Sequence, residues 1–230
     1  MEGKKNTSAF DVDGRVYQTE YAIKNVSEGG TIVGMKCSDG IVLIGHNENR
    51  DNEKTFEKIS KVTDEIYCAF SGIYSDFLLL LEHTRVSAQK KASEFGSPPA
   101  LWTVCVDLAE NLQIFTQRTG NRPFGVSFLF CGESEDEYKL MSTDPSGTFL
   151  SWKCKAFGKN DEKINSTFLS EDIPENITMK DATIEIFKIL KKISEISADD
   201  AINFEVLHFC KEFKGMLSLE SVTSLIKSSN

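Results

Sequence analysis

The chain has 230 residues, with 35 acidic against 26 basic side chains, a formal net charge of −9 and a pI near 5.0. That excess of carboxylates repels a phosphate backbone and argues against a nucleic-acid partner. No run approaches the ~18 apolar residues of a membrane helix, the longest (Phe77 to Leu81) being bounded by Asp76 and Glu82. The first residues, Met-Glu-Gly-Lys-Lys-Asn, contain no apolar stretch of the kind an export signal needs. Six cysteines lie far apart without a C-x-x-C pair, and there are only three histidines, so a zinc site is not expected. The cysteines read as reduced thiols of a cytosolic or nuclear protein, and no cofactor is implied.

In chain order, residues 1–14 are polar and expected to form a mobile tail. Arg15 to Ser27 predicts a short helix, with Val16, Tyr17, Tyr21, Ala22 and Ile23 as its apolar residues and Gly29-Gly30 stopping it. Thr31 to Cys37 and Ile41 to Gly45 predict two strands. Ser38-Asp39-Gly40 between them suits a hairpin turn whose two central residues take positive φ. Ile59 to Ser71 predicts a further strand or pair. Tyr74 to Phe95 is helical, with Leu78, Leu81, Arg85 and Ala88 at helical spacing. After the break at Gly96-Ser-Pro-Pro, a second helix is expected over Ala100 to Gln117, with Leu101, Val104, Cys105, Leu108, Leu112 and Phe115 on its stripe.

Gly125 to Gly132 returns to strand. An acidic turn, Glu133 to Glu137, leads into a strand over Tyr138 to Thr143. Asp144-Pro-Ser-Gly is a tight turn, since Asp bonds backbone N–H groups and Gly takes positive φ. One strand is expected over Phe149 to Phe157, then helices over Glu162 to Leu169 and Met179 to Ile196. A last strand over Asn203 to Cys210 and a short helix from Leu219 end the chain.

Strands grouped in hairpins imply antiparallel sheets, and helices with one apolar face need a sheet to cover. The economical arrangement is α+β: a four-layer αββα sandwich over residues 15–230, one domain with no linker or repeat.

Phe10-Asp-Val-Asp-Gly-Arg-Val-Tyr-Gln-Thr-Glu-Tyr-Ala resembles the N-terminal signature of proteasome α subunits, F-S-P-[DE]-G-R-[LV]-[FY]-Q-V-E-Y-A. Further blocks follow in the family's order: Gly30-Thr-Ile-Val-Gly with Asp39-Gly, Glu57-Lys-Ile, Ser71-Gly-Ile-Tyr-Ser-Asp, Phe115-Thr-Gln and Arg122-Pro-Phe-Gly-Val-Ser. Asp144-Pro-Ser-Gly-Thr-Phe and Trp152-Lys complete the set. The blocks cover about residues 10 to 158, and their order and spacing make the resemblance specific.

The resemblance implies the N-terminal-nucleophile hydrolase fold, with the helix over residues 15–27 as the α-specific addition. It implies two α neighbours in a heptameric outer ring, a stacked ring of proteolytic β subunits, and a role in ubiquitin-dependent protein degradation in cytoplasm and nucleus. It also implies docking of the C-terminal tails of activators or a regulatory particle, through Lys58 of the Glu57-Lys-Ile block. Phe10, Asp13, Gly14, Arg15 and Tyr21 fall on the family's gate and N-terminal-turn positions. Val12 stands where the family has proline, and Gly3-Lys4-Lys5 where it has Tyr-Asp-Arg.

Catalysis in this fold needs a Thr, Ser or Cys whose own amine is free to act as base. Here Gly29 and Gly30 occupy the nucleophile's region, and His46 takes the place of the aspartate in the resemblance. Lys58 aligns with the catalytic lysine, but one member of a triad performs no chemistry. A subunit without catalysis is the reading. The rivals are an autoprocessed threonine peptidase with Thr31 as nucleophile, and a free-standing assembly chaperone or adaptor on the same fold.

Overall fold

The computed structural model describes residues 9–47, 57–118, 120–134, 137–171, 173–194 and 196–229. The order is α1 (Tyr17–Ser27), β1 (Ile32–Lys36), β2 (Ile41–His46), β3 (Ile59–Thr63), β4 (Ile66–Gly72), α2 (Tyr74–Phe95) and α3 (Leu101–Gln117). Then come β5 (Val126–Ser134), β6 (Glu137–Thr143), β7 (Phe149–Trp152), β8 (Cys154–Phe157), α4 (Asp161–Ser170) and α5 (Met179–Ile193). A 3-10 turn (Ala198–Asn203), β9 (Phe204–Phe209), β10 (Lys214–Met216) and α6 (Leu219–Ser228) close the chain.

Two five-stranded antiparallel sheets, ordered β10-β9-β2-β1-β8 and β3-β4-β5-β6-β7, carry the fold. The alternation of strand side chains divides the core into three parts. On β2, Ile41 and Leu43 face the second sheet while Val42 and Ile44 face helices, which is why the run is apolar without alternation. Between the sheets lie Ile32, Leu43, Leu129, Leu140, Leu207 and Phe209. Outside the first sheet, α4, α5 and α6 supply Phe168, Ile186, Phe187 and Ile226. Outside the second, α2 and α3 supply Phe77, Leu80, Val104 and Leu108. The result is the expected αββα sandwich. α1 lies across one end, burying Ala22 and Val26 against β4 and β5.

Several expectations need correction. Phe149 to Phe157 is two strands: β7 pairs with β6 in the second sheet and β8 with β1 in the first, the chain turning the corner at Lys153. No glycine or proline marks that corner, so the sequence reads straight through it. The hairpin at Ser38-Asp39-Gly40 has no residue of positive φ. Gly40 is required by close approach instead, since a Cβ there would stand 2.3 Å from the Phe209 carbonyl oxygen. Asp39 accepts a hydrogen bond from the Met179 N–H (2.8 Å) at the start of α5.

The stripe of α2 is Phe77, Leu80, Leu81, Thr84 and Ala88, and Leu78 is exposed. Five apolar residues in succession leave the phase open; stacking of Phe77 on Phe70 (3.8 Å between centroids) sets it. α5 ends at Ile193, short of the expected Ile196, because Ser197 and Asp200 form a capping box that opens a separate turn. The polar strand β10 had no sequence signal. Of the expected acidic turn, Glu133 and Ser134 belong to β5 and Glu137 to β6, and residues 135–136 lie outside the described residues.

Two motif blocks meet in one knot. The Arg122 guanidinium donates to both carboxylate oxygens of Asp76 (2.6 and 2.8 Å), and the Gly125 N–H donates to the same carboxylate (2.9 Å). Burial raises the Asp76 carboxyl, and Arg122 and the Gly125 N–H together outweigh it, leaving Asp76 below the usual range. Phe124 of that block packs on Phe115 of the preceding one, 4.6 Å between centroids.

Candidate functional site

The site begins where α1 hands over to β1. α1 ends at Ser27, and Gly29 and Gly30 carry the chain into the sheet without positive φ. Space is what they provide. A Cβ on Gly29 would lie 2.6 Å from the Gly72 nitrogen and 2.7 Å from Ser71 Oγ. A Cβ on Gly30 would lie 2.6 Å from the His46 carbonyl oxygen, 2.8 Å from Lys58 Nζ and 2.9 Å from Lys58 Cε. The lysine therefore fills the volume in which a nucleophile side chain at position 30 would stand.

Thr31 is 6% exposed, and its Oγ1 donates to the Lys159 carbonyl oxygen at 2.9 Å. Its nitrogen is a peptide nitrogen behind an ordered helix, so it has neither free amine nor free hydroxyl. In the unprocessed chain Thr31 therefore offers no active nucleophile. His46, in the aspartate's place, stacks on Phe204 with centroids 4.4 Å apart and planes 12° from parallel.

Lys58 is 6% exposed, with Nζ 4.6 Å from the centroid of the Phe70 ring. Among the described residues its ammonium donates no side-chain hydrogen bond. Burial pushes its pKa down to about 8, against an opposing attraction from Glu205. Glu205 itself is held by the backbone: one carboxylate oxygen accepts from the N–H groups of Lys58 (2.9 Å) and Ile59 (3.0 Å). The site is thus a desolvated cation beneath a glycine, suited to hold an anion and unsuited to start acyl transfer.

At the other end of α1, about 16 Å away at ~1.5 Å per residue, the sequence placed Phe10, Asp13, Gly14, Arg15 and Tyr21. The structure brings Gly14, Arg15 and the Asp13 backbone into one turn, organised by Asp11, a residue the sequence reading did not select. Asp11 Oδ1 accepts from the N–H groups of Asp13 and Arg15, both at 2.9 Å, and the Gly14 N–H donates to the Asp11 carbonyl at 3.1 Å. Gly14 takes φ 74°, which favours glycine. The N–H of Arg15, with the Tyr17 hydroxyl, holds the Asp11 carboxyl below its usual range. Arg15 pairs with Glu20 and lies 5.3 Å over the Tyr17 ring. Asp-x-Asp-Gly is the available signal, because Asp bonding the N–H two residues on is ordinary turn chemistry. Phe10 (76% exposed), Val12 and Tyr21 project into solvent. Gly3-Lys4-Lys5 and the rest of residues 1–8 lie outside the described residues.

Fold and site together define an N-terminal-nucleophile sandwich whose nucleophile position is a glycine occupied by a lysine, and which therefore works by shape and contact. Residues 26–209 match the proteasome subunit family. The chain is 43% identical over 227 residues to the probable proteasome subunit alpha type-3 of Encephalitozoon cuniculi, covering 98% of this chain and 97% of that one. It is 35% identical over 191 residues to proteasome subunit alpha type-4 of Spinacia oleracea (81% and 76% covered), and 33% identical over 205 residues to alpha type-4-2 of Oryza sativa subsp. indica (87% and 82%). The chain belongs to the proteasome subunit family, as one of its non-catalytic α-type members, and assembles with other proteasome subunits.

Proposed function

We propose that this subunit stands in the heptameric outer ring between two α neighbours, stacked on β subunits, in cytoplasm and nucleus. There it shapes the pore that admits unfolded chains. Through Lys58 it presents one wall of a pocket for the C-terminal carboxylate of activator tails. The observation that carries the docking reading is the desolvated Lys58 ammonium. A free carboxylate supplies the charge-assisted partner that this cation lacks in the described chain. The turn built on Asp11, Gly14 and Arg15 is the rigid part of a gate segment, with Phe10 and Tyr21 exposed on it for contact with neighbouring tails.

The test is Lys58→Ala in the assembled particle, read by activator-tail binding and by peptide hydrolysis in the already open core. Affinity should fall with hydrolysis unchanged; unaltered affinity would reject the docking role. Separately, Asp11→Ala should loosen the turn and raise basal peptide hydrolysis of the closed particle. A closed-particle rate identical to wild type would remove that turn from the gate.

A further inference from the structure

Four strands end the two sheets, β10 and β8 in the first and β3 and β7 in the second. A row of unpaired N–H and C=O groups on such a strand is a template for another chain, so edges are ordinarily closed or kept short. Three of the four follow that rule. On β8 the Asn165 side-chain amide accepts from the Ala156 N–H (2.9 Å) and donates to the Ala156 carbonyl (3.0 Å). On β3 the Arg85 guanidinium donates twice to the Lys61 carbonyl, at 3.0 and 2.7 Å. β10 has only three residues, and the Phe213 ring lies so close to its central Gly215 that a Cβ there would stand 2.8 Å from it.

β7 is open. The Asp144 N–H donates to the Thr148 carbonyl at 3.1 Å, which fixes the phase of the β6–β7 ladder. Bonded pairs recur at every second residue of an antiparallel ladder, so Ser142 with Leu150 and Leu140 with Trp152 are the pairs that exchange bonds. The N–H and C=O groups of Phe149 and Ser151 then point away from β6, and among the described residues nothing bonds them. Apolar side chains flank this edge on both faces. Trp102, 55% exposed, meets Phe149 on the α3 face with centroids 4.8 Å apart, and Leu150, 48% exposed, lies on the other. On the face of Leu150, Lys155 Nζ stands 4.6 Å from the Trp152 ring and 5.1 Å from Phe157, and it forms no ion pair with a described carboxylate.

We propose that β7 takes an extended segment of a neighbouring proteasome subunit as a sixth strand of the second sheet, a segment with an apolar residue for Leu150 and a carboxylate for Lys155. The inference rests on assembly with other proteasome subunits and not on docking at Lys58. Backbone bonds to Phe149 and Ser151 supply the affinity, and alternate side chains of the added strand reach the two faces of the sheet. Those on the inner face are cross-strand neighbours of Leu150 and Trp152, which brings a carboxylate to the ammonium that Trp152 holds. A second copy of β7 offers only Phe, Leu, Ser and Trp followed by Lys153, with no acid for Lys155, so the occupant is a different subunit.

Hydrogen exchange resolved to single amides, compared between the isolated full-length chain and the native particle, tests the pairing. The Leu150 and Trp152 N–H groups, bonded to β6, should be protected in both. Those of Phe149 and Ser151 should exchange freely in the isolated chain and slow by about 100-fold or more in the particle. Ser151→Pro removes an outward N–H and no bond to β6, so the isolated chain should keep its circular dichroism. Its incorporation in competition with wild type should fall by about tenfold, the cost of a partner carbonyl left unpaired. Ser151→Ala should incorporate normally, and Lys155→Met several-fold less. If the proline variant loses its circular dichroism, the exchange comparison decides alone. Phe149 and Ser151 amides as fast in the particle as in the isolated chain, or normal incorporation of folded Ser151→Pro or Lys155→Met chains, would overturn the proposal. So would protection in the isolated chain that grows with its concentration, since the occupant would then be a second copy.

Discussion

Lys58→Met should make the chain more stable at neutral pH. Folding moves this ammonium from water to a site beside the Phe70 ring and beneath Gly30, lowering its pKa from 10.5 to about 8. At ~1.4 kcal/mol per pH unit, that difference costs ~3 kcal/mol wherever both folded and unfolded chains carry the proton, below about pH 8. Methionine keeps an unbranched stem of similar reach, removes the charge, and gives up a cation–π contact worth ~1 kcal/mol. The net expectation is a gain on the order of 1–2 kcal/mol at pH 7.

The gain should shrink as pH rises from 8 towards 10.5, because over that window the folded wild type sheds the proton before the unfolded chain does. Buried thiols work in the opposite direction in both proteins: Cys37, pushed up to about 12, stays protonated when folded, so stability falls as the unfolded thiol ionises near pH 9. The comparison therefore rests on the difference between variant and wild type, from urea unfolding at fixed protein concentration and matched salt between pH 7 and 10. A destabilised variant, or a difference that does not move with pH, would refute the claim that Lys58 is held charged in a desolvated site.

Gly30→Ala should destabilise by about 2–3 kcal/mol. Lys58 can retract its flexible end, but the His46 carbonyl oxygen 2.6 Å from the new Cβ is backbone and cannot; unfolding curves check this, and adding Lys58→Ala should recover only part of the loss. At His208 the Thr183 hydroxyl gives its proton to the Met179 carbonyl (2.7 Å), so His208 Nε2–H donates to Thr183 Oγ1 (2.9 Å). Burial holds the imidazole pKa below 6.5 against the attraction of Asp39. Stability from the neutral ring is present above pH 6.5 and is lost as pH falls from 6.5 through the lower folded value. His208→Gln keeps a donor and should flatten that part of the stability–pH curve; an unchanged slope would count against the assignment.

Turn chemistry and motif order were the readable parts of the fold. Gly96 closes α2 at φ 69°, and Asp144 Oδ1 accepts from the Ser146 N–H at 2.8 Å ahead of Gly147 at φ 82°, as residue types at those positions dictate. What escaped reading depends on contacts distant in sequence. The corner at Lys153 is set by pairing of its two flanks with different sheets. The outward turn of Leu79, 62% exposed, follows from where Phe77 meets Phe70. Lys91 of α2 pairs with Asp107 of α3 at 2.9 Å, a contact between helices that no local pattern marks. In the site, the glycines at 29 and 30 were legible as an absence of nucleophile. Their crowding by Ser71, His46 and Lys58 was not, because those residues come from three other segments of the chain.

The central claim is that this chain contributes to proteolysis without cutting. Intact-mass analysis of the subunit from the native particle, after reaction with a covalent probe for amine-bearing threonines, tests it most directly. The chain should retain the residues ahead of Thr31 and carry no label while the catalytic subunits of the same particle are modified. A labelled chain beginning at Thr31 would contradict it.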